Sequence, residues 1–425
     1  MKRLAIIGSG IAGLGAAYFL HPHFDLTVFE QNDYVGGHSN TIIVDESGVS
    51  IPIDTGFMVF NLITYPNLVR LFETLGVQYK ATDMSFSVQH RPANLEWCGS
   101  GYNQLFGQRR NLFRPDYWQF LMDLNRFNKT APKKLDTEGF AQVTVQEFVR
   151  QEKYSQEFLD WYLIPMGSAL WSTSAENILN FPMQTLIRFF YNHGFLGMDT
   201  HFQWYTVDGG SKNYVDLLTQ PFASRIQVNQ PVKHIYQHEN HASVMFSDGR
   251  SESFDKVILA CHADQALQML DNPDPEQTRL LSPFTYEDNT AVLHSDPSVM
   301  PKHKRCWASW NYDIGKGKQD IPRSSTHYWM NNLQGVSQNR PYFVSINPNQ
   351  SIDPMLIHQT IQYEHPLFSL AAINAQAQLP LLNQRSPEQS VYFCGSYFNY
   401  GFHEDAFTSA LHLARVIRGE AIWTQ

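Results

Sequence analysis

The stretch Arg3-Leu-Ala-Ile-Ile-Gly8-Ser-Gly10-Ile-Ala-Gly13 decides the fold. Its apolar run ends in glycine and reads as a buried parallel strand. An apolar helix is predicted over Ala12–Leu20, and Phe24–Glu30 reads as the next strand, closing on a carboxylate. The three pieces make a complete β-α-β unit. Gly8 permits the tight turn, Gly10 lets the backbone approach a pyrophosphate, and Gly13 allows the helix to pack closely on the strand. The helix N-terminus, with Ile11 and Ala12 in its first turn, offers unpaired N–H groups to phosphates. Glu30 stands seventeen residues past Gly13, where a carboxylate accepts hydrogen bonds from ribose hydroxyls, and Gln31 follows it. An arginine or a small residue there would suggest a 2′-phosphorylated dinucleotide.

The rest of the composition bounds the class. The chain has 425 residues, enough for about three domains or two large ones. Hydrophobic residues make up 43% and charged residues 17%, so neither disorder nor a fibrous state is expected. The net charge of −9 argues against a nucleic-acid partner, which calls for a basic face. Cys98, Cys261, Cys306 and Cys394 lie far apart, with no metal-ligand spacing around them. They read as reduced thiols of a cytoplasmic protein. No signal peptide is expected, because Leu4–Ile7 already reads as a strand. No stretch approaches the roughly 18 apolar residues of a membrane span, which leaves peripheral membrane contact open. The oligomeric state is not legible.

Further segments follow the same logic. Val35-Gly36-Gly37-His38-Ser39-Asn40-Thr41 places a second glycine pair just after Glu30, and Ile53-Asp54-Thr55-Gly56-Phe57-Met58 is a strand running into a glycine. Val207-Asp-Gly-Gly-Ser-Lys-Asn-Tyr214 is a turn opening a helix. Ile226–Val232 gives a strand and a turn, and Val244–Ala260 a hairpin and a returning strand. Val391-Tyr-Phe-Cys-Gly395 is a strand ending in glycine. Gly401-Phe-His-Glu-Asp-Ala406 then leads into helical spacing over Phe407–Arg418.

In this order the segments resemble the FAD-containing amine oxidase superfamily, which includes phytoene desaturases and protoporphyrinogen oxidases. The resemblance implies a two-domain α/β fold. A discontinuous Rossmann-type FAD-binding domain would comprise 1–85, 205–270 and 375–425. A mixed-sheet and helical substrate domain would comprise 86–204 and 271–374. It also implies one non-covalent FAD. Gly36, Gly37 and His38 would continue the pyrophosphate contact, although relatives often carry an arginine where this chain has His38. Gly56, Phe57 and Met58 would lie near the flavin, and Val232 would meet the adenine through its main chain. Gly395 would approach the ribityl phosphate. His403, Glu404, Asp405 and Ala406 would open the helix whose positive end faces the N1–C2=O edge of the ring. A narrower resemblance runs through Asp54–Asn61, Tyr65–Asn67, Ser85–Ser87, Trp307–Tyr312, Tyr328–Asn331 and Gly401–Asp405. It is to a bacterial group of amine-oxidase-like proteins similar to the N-terminal part of plant cyclopropane fatty-acid synthases. That likeness implies a link to acyl-chain modification.

Hydride transfer to a flavin needs little covalent help from protein, and the sequence contains no evident catalytic triad. Seventeen histidines form no convincing metal pair, so no metal is expected. His403, Glu404, Tyr328 and Asn331 are the candidate catalytic polar groups. Lys302 and Lys304 read as a solvated charge run rather than a flavin-linked lysine. Phe189, Phe190, Trp204, Trp310 and Tyr328 are candidates for an apolar tunnel. Three functions stay open: an FAD-dependent oxidoreductase acting on an apolar, perhaps acyl, small-molecule or lipid substrate; an amine oxidase using oxygen; and a non-catalytic lipid carrier resembling the Rab GDP-dissociation inhibitors.

Overall fold

The computed structural model describes residues 1–197, 200–316, 322–385 and 389–423. The opening unit is β1 (Arg3–Ile7), α1 (Ile11–Leu20) and β2 (Asp25–Phe29). It lies within a residue of the sequence expectation. β1 is central because both of its faces are apolar, and Leu4, Ala5 and Ile6 are fully buried. It pairs in parallel with β2 on one side and with Lys256–Leu259 on the other. Ile226–Gln227 extends the sheet beyond β2, and Val391–Phe393 extends it beyond Lys256–Leu259. The result is a five-stranded, all-parallel sheet.

α1 is apolar on every side, and nine of its ten residues are buried. Such a helix must be covered twice. One cover is the sheet, where a side chain at Gly13 would stand 2.0 Å from the Gly8 carbonyl oxygen. The other is the last helix, His403–Arg418, whose Phe407 ring would lie 2.9 Å from a side chain at Gly15. That last helix begins at His403, four residues before the apolar spacing starts. Its first turn holds Glu404 and Asp405, which suit the positive helix end.

A seven-stranded sheet forms a second layer. Its order is Ile357–Leu367, Thr285–His294, Phe343–Ile346, Pro322–Trp329, Trp310–Lys316, Phe86–His90 and Leu95–Cys98. All neighbours are antiparallel except Trp310–Lys316 with Phe86–His90, so the sheet is mixed. Cross-strand register places Trp310 opposite Tyr328. Helices cover one flank, with Phe127 at the centre of an aromatic cluster of Phe148, Phe158 and Phe190. Leu159–Leu163 forms a π turn before the helix Ile164–Trp171. Pro165 has no N–H to give an α-helical bond, and a π turn accommodates that loss.

A buried latch joins distant segments of chain. Asp54 accepts hydrogen bonds from the Ser211 amide at 2.9 Å, from Thr41 Oγ1 at 2.5 Å and from Gln334 Nε2 at 2.6 Å. The Asp-Thr-Gly strand end is thereby fixed to the Gly-Gly-Ser turn that opens the helix Lys212–Thr219. Among the described residues no helix is long and apolar enough to cross a membrane.

Candidate functional site

The carboxyl ends of the parallel strands all open into one groove of about 1540 Å³. Gly8, Glu30, Ala260 and Gly395 follow four of those strand ends and line it. Open α/β sheets bind ligands at this edge.

At the first turn, Gly8 has φ +105°, and a side chain there would meet the Ala260 carbonyl oxygen at 2.8 Å. Gly10 differs. It has an ordinary φ of −68°, and a Cβ on it would have no neighbour within 4 Å. Its missing side chain therefore serves the groove, not the packing. Gly37, at φ +59°, closes on Gly10 from the second glycine pair. Gly10, Ile11, Ala12, Gly37, Gly56, Phe57, Met58, Val232, Gln31 and Ala406 all line the groove. Gly13 and Gly36 stand behind it. Gly13 seats α1 on β1, and Gly36 donates its amide to the Ser9 carbonyl at 3.1 Å.

Glu30 is buried and engaged on both oxygens. Oε2 accepts from the Ser9 amide at 3.0 Å and Ser9 Oγ at 2.7 Å. Oε1 accepts from the Asn32 amide at 2.9 Å and Asn32 Nδ2 at 3.0 Å. The carboxylate thus holds the glycine turn in place while one edge faces the groove.

His38 stacks on Tyr363 at 4.8 Å and meets His365 edge-on at 5.3 Å. Its Nε2 is buried and has no partner among the described residues. Burial, followed by the neighbouring His365, His262 and His403 rings, holds its pKa well below the ordinary value. Burial, with His262 nearby, lowers His365 to about 4. The only Lys or Arg among the described lining residues is Lys233.

His403 heads the last helix and stacks on Phe57 at 3.8 Å, with the ring planes 8° apart. Its Nε2 lies 2.6 Å from Tyr214 Oη and 3.0 Å from Ser39 Oγ. Those two hydroxyls also hydrogen-bond to each other. Burial lowers the ring's pKa to about 3, so it is neutral near pH 7. Neither Ser39 nor Tyr214 stood out in the sequence as a site residue, and both lie among segments that read as turn and helix.

One end of the groove is walled by aromatic and apolar side chains. Phe189 stacks on Phe402 at 4.9 Å and contacts Trp171 at 5.2 Å and Tyr400 at 6.0 Å. Trp204 lies between Tyr65 and Phe195. Trp310 and Tyr328 stack as cross-strand neighbours, and Met58 and Met84 complete the wall. None of these residues bears a charge. Trp171, Phe195 and Met84 gave no sequence signal beyond being apolar, and an apolar residue is more often core than site.

Several expected residues lie elsewhere. Glu404 faces away from the groove and accepts from the Asn67 and Leu68 amides at 3.0 and 2.9 Å. It braces the start of the helix Pro66–Leu75 and is not placed to act on a ligand. Asn331 donates to the Ser337 and Arg340 carbonyls and accepts from the Tyr342 amide, which makes it a loop brace outside the groove. The Asp405 carboxylate closes the preceding loop through Asn399 Nδ2 and the Phe402 amide. Phe190 is fully buried behind Phe189. Lys302 and Lys304 are exposed and do not line the groove. Among the described residues no group of His, Cys, Asp or Glu is arranged to hold a metal.

Comparison with known proteins places this geometry. A family model described as flavin containing amine oxidoreductase matches residues 11–304. Cyclohexylamine oxidase from Brevibacterium oxydans IH-35A is similar in structure, with a TM-score of 0.68 at 17% identity, over 98% of this chain and 99% of that one. Putrescine oxidase bound to putrescine gives 0.69 at 14% identity, over 99% of each chain. A fatty acid isomerase from P. acnes that produces CLA gives 0.67 at 13% identity, again over 99% of each.

Proposed function

The chain belongs to the flavin-containing amine oxidoreductases and is an FAD-dependent oxidoreductase, and from that premise we propose that it oxidises an apolar substrate, a fatty-acyl chain of a lipid being the candidate. Membership of an oxidoreductase family sets the carrier reading aside.

The groove fits the cofactor. The open space at Gly10, the α1 N-terminus beside it and the unpartnered His38 Nε2 are features a pyrophosphate would satisfy. Gly8, Gly10, Ile11, Ala12 and Gly37 would hold the phosphates, Glu30 the ribose, and Val232 the adenine. Phe57, Met58, Gly395, His403 and Ala406 would border the ring. Bound there, FAD supplies a hydride acceptor at N5.

The chain's own residues do the rest. The aromatic wall orients the substrate C–H bond and excludes water. Tyr214 O–H donating to His403 Nε2 leaves the imidazole proton on Nδ1. The neutral ring then offers a fixed N–H donor at the start of the last helix, whose positive end favours negative charge beside it. Stacking on Phe57 keeps the imidazole from turning.

The observation that carries the substrate reading is the cluster of uncharged aromatic and thioether side chains in that wall, which holds none of the carboxylates Asp33, Asp288 and Glu364 that also line the groove. An amine substrate arrives as a cation, which aromatic faces can hold, so it is the lack of a carboxylate among those rings that favours an apolar substrate. The wall here offers Phe189, Trp171, Trp204, Trp310 and Met84, with polarity limited to phenol and indole groups. The fold itself accommodates acyl substrates, since the fatty acid isomerase carries it, although 13% identity transfers nothing more. The four free cysteines support a cytoplasmic location.

Anaerobic mixing of the yellow protein with phospholipids, free fatty acids and small amines tests the proposal. Flavin bleaching by acyl lipids, and not by amines, is expected. Rapid bleaching by a small amine with none by acyl lipids would overturn the substrate class in favour of the amine oxidase reading.

A further inference from the structure

The groove explains the aromatic residues buried around it but not a group that the helical layer leaves outside. Tyr102 is 73% exposed, Phe113 86%, Met122 58%, Trp118 46% and Leu112 41%. They fall within a single short stretch of chain, whereas the other exposed large apolar residues among those described are singles or pairs spread along the sequence. Scattered apolar exposure needs no explanation, but a grouped patch does.

The local structure makes the group continuous. On the helix Pro115–Thr130, Trp118, Met122, Asn125 and Lys129 follow one another at steps of four, three and four, which is one stripe of an α-helix. The inward stripe is Tyr117, Phe120 and Phe127, all fully buried, so the helix has a wet apolar edge opposite its packed one. The preceding turn, Arg109–Phe113, folds back onto it. Trp118 Nε1 donates to the Leu112 carbonyl at 2.9 Å and sets Leu112 beside the indole.

Cations stand at both ends of this patch. Arg109 and Arg110 begin the turn, and Lys129 and Lys133 lie past the last apolar residue. Arg110, Lys129 and Lys133 are exposed and form no hydrogen bond or ion pair among the described residues. Residues 101–135 hold seven Lys and Arg against two Asp and Glu, in a chain of net charge −9. A local positive charge against the sign of the whole molecule selects an anionic partner.

We propose that this face docks on an anionic lipid bilayer, with Phe113, Trp118 and Met122 in the headgroup layer and Arg109, Arg110, Lys129 and Lys133 over the lipid phosphates. Apolar residues on one helical edge with basic flanks are what an interfacial helix requires, and tryptophan favours that depth. A second copy of the chain fits less well. A two-fold contact through this face would set the basic residues against themselves. The inference goes beyond the substrate reading and does not depend on it.

The test is flotation of the full-length, FAD-loaded protein with phosphatidylcholine vesicles, with and without about 30% phosphatidylglycerol. Binding to the anionic vesicles, at least about tenfold tighter than to neutral ones and weakened by salt, is expected. Phe113→Ser/Met122→Ser should reduce it by about tenfold with unchanged circular dichroism, because both side chains are exposed and hold no core contact. Brominated lipids should quench the wild type more than Trp118→Phe. Equal binding to both vesicle types, unaltered binding of the double variant, or equal quenching of Trp118→Phe would each overturn the proposal. So would a lipid-free dimer that the same two substitutions abolish, which would assign the patch to self-association.

Discussion

Glu30→Gln separates two duties that the carboxylate carries at once. In the wild type four donors converge on it: the Ser9 amide and hydroxyl on one oxygen, and the Asn32 amide and side-chain NH₂ on the other. A glutamine has one acceptor oxygen, so its NH₂ must face one pair of donors. The Ser9 side is buried and the Asn32 side is exposed, so the NH₂ should turn toward Asn32, where water takes over. The Asn32 side chain can rotate to accept, leaving one backbone N–H to solvent. The apoprotein should then lose about 1 kcal/mol, near the low end for a single mismatched donor. FAD binding should lose more. Hydrogen bonds to a charged acceptor contribute about 1.5–3 kcal/mol and neutral ones about 0.5–1.5, so replacing one with the other costs about 1–2 kcal/mol. That is roughly 5- to 30-fold in dissociation constant. The assay pairs a urea melt of the apoprotein with FAD titration followed by flavin fluorescence. A variant with lowered stability but wild-type FAD affinity would show that Glu30 braces the turn without touching the ribose, and the cofactor reasoning would fail at that residue.

Three further expectations follow from individual contacts. Gly10→Ala should fold normally, since its φ suits alanine and its Cβ meets nothing, yet it should weaken FAD binding by more than about tenfold; Gly13→Ala should instead destabilise the apoprotein by about 2 kcal/mol, because its Cβ would press on the Gly8 carbonyl. Equal effects of the two on stability, read by urea melts, would refute the division of labour between them. Glu404→Gln should cost about 1–2 kcal/mol of stability, through the Asn67 and Leu68 amides, with an unchanged flavin spectrum; a shifted spectrum at unchanged stability would return Glu404 to the ring. His294 and His327, both hydrogen-bonded to Ser345 Oγ, are pushed down to about 3 by burial. Their folded pKa lies below the unfolded 6.5, so the stability they confer is complete above pH 6.5 and drains as pH falls toward 3, at up to about 1.4 kcal/mol per pH unit each. Asp405, pushed up to about 7 by burial, opposes one of them, while His403 at about 3 and His365 at about 4 act in the same sense as the pair, so stability should fall as pH drops from 6.5 to 4. Urea midpoints that stay flat over that range would contradict it.

The sequence was legible where function and packing demand the same residue. In β1, α1 and β2 the glycines, the apolar runs and the terminal Glu30 each have a local reason, and the expected and observed bounds differ by a residue. Where a residue's role is set by a distant partner, local pattern misled. Glu404 sits in a segment that resembles a flavin-facing one, but its side chain is claimed by Asn67, 337 positions away. Asn331 looked like a pocket group, and its amide is spent on the Ser337 and Arg340 carbonyls. The apolar spacing of the last helix begins only at Phe407, and it was the resemblance that placed the polar first turn, His403 to Asp405, at its start. The acidic pair there is itself a helix-start signal. Ser39 and Tyr214 lay inside segments that carried the resemblance but had no signal of their own, since only the fold brings a residue after the glycine pair within reach of one in the helix Lys212–Thr219.

The placement of His403 draws these strands together. A histidine beside a pyrophosphate and a redox ring has two conflicting options. Charged, it would bind phosphate; neutral, it can offer a single directed N–H. The structure removes the first option by burying the ring against Phe57 and facing its Nε2 with two hydroxyls and no carboxylate. His38, by contrast, keeps a buried nitrogen with no protein partner. An anion beside His38 would raise its pKa and supply the missing acceptor, which lets the same residue type stand in for the arginine of relatives. The two histidines are therefore not interchangeable. One is held neutral by its protein partners, and the other keeps a buried nitrogen that no partner among the described residues satisfies.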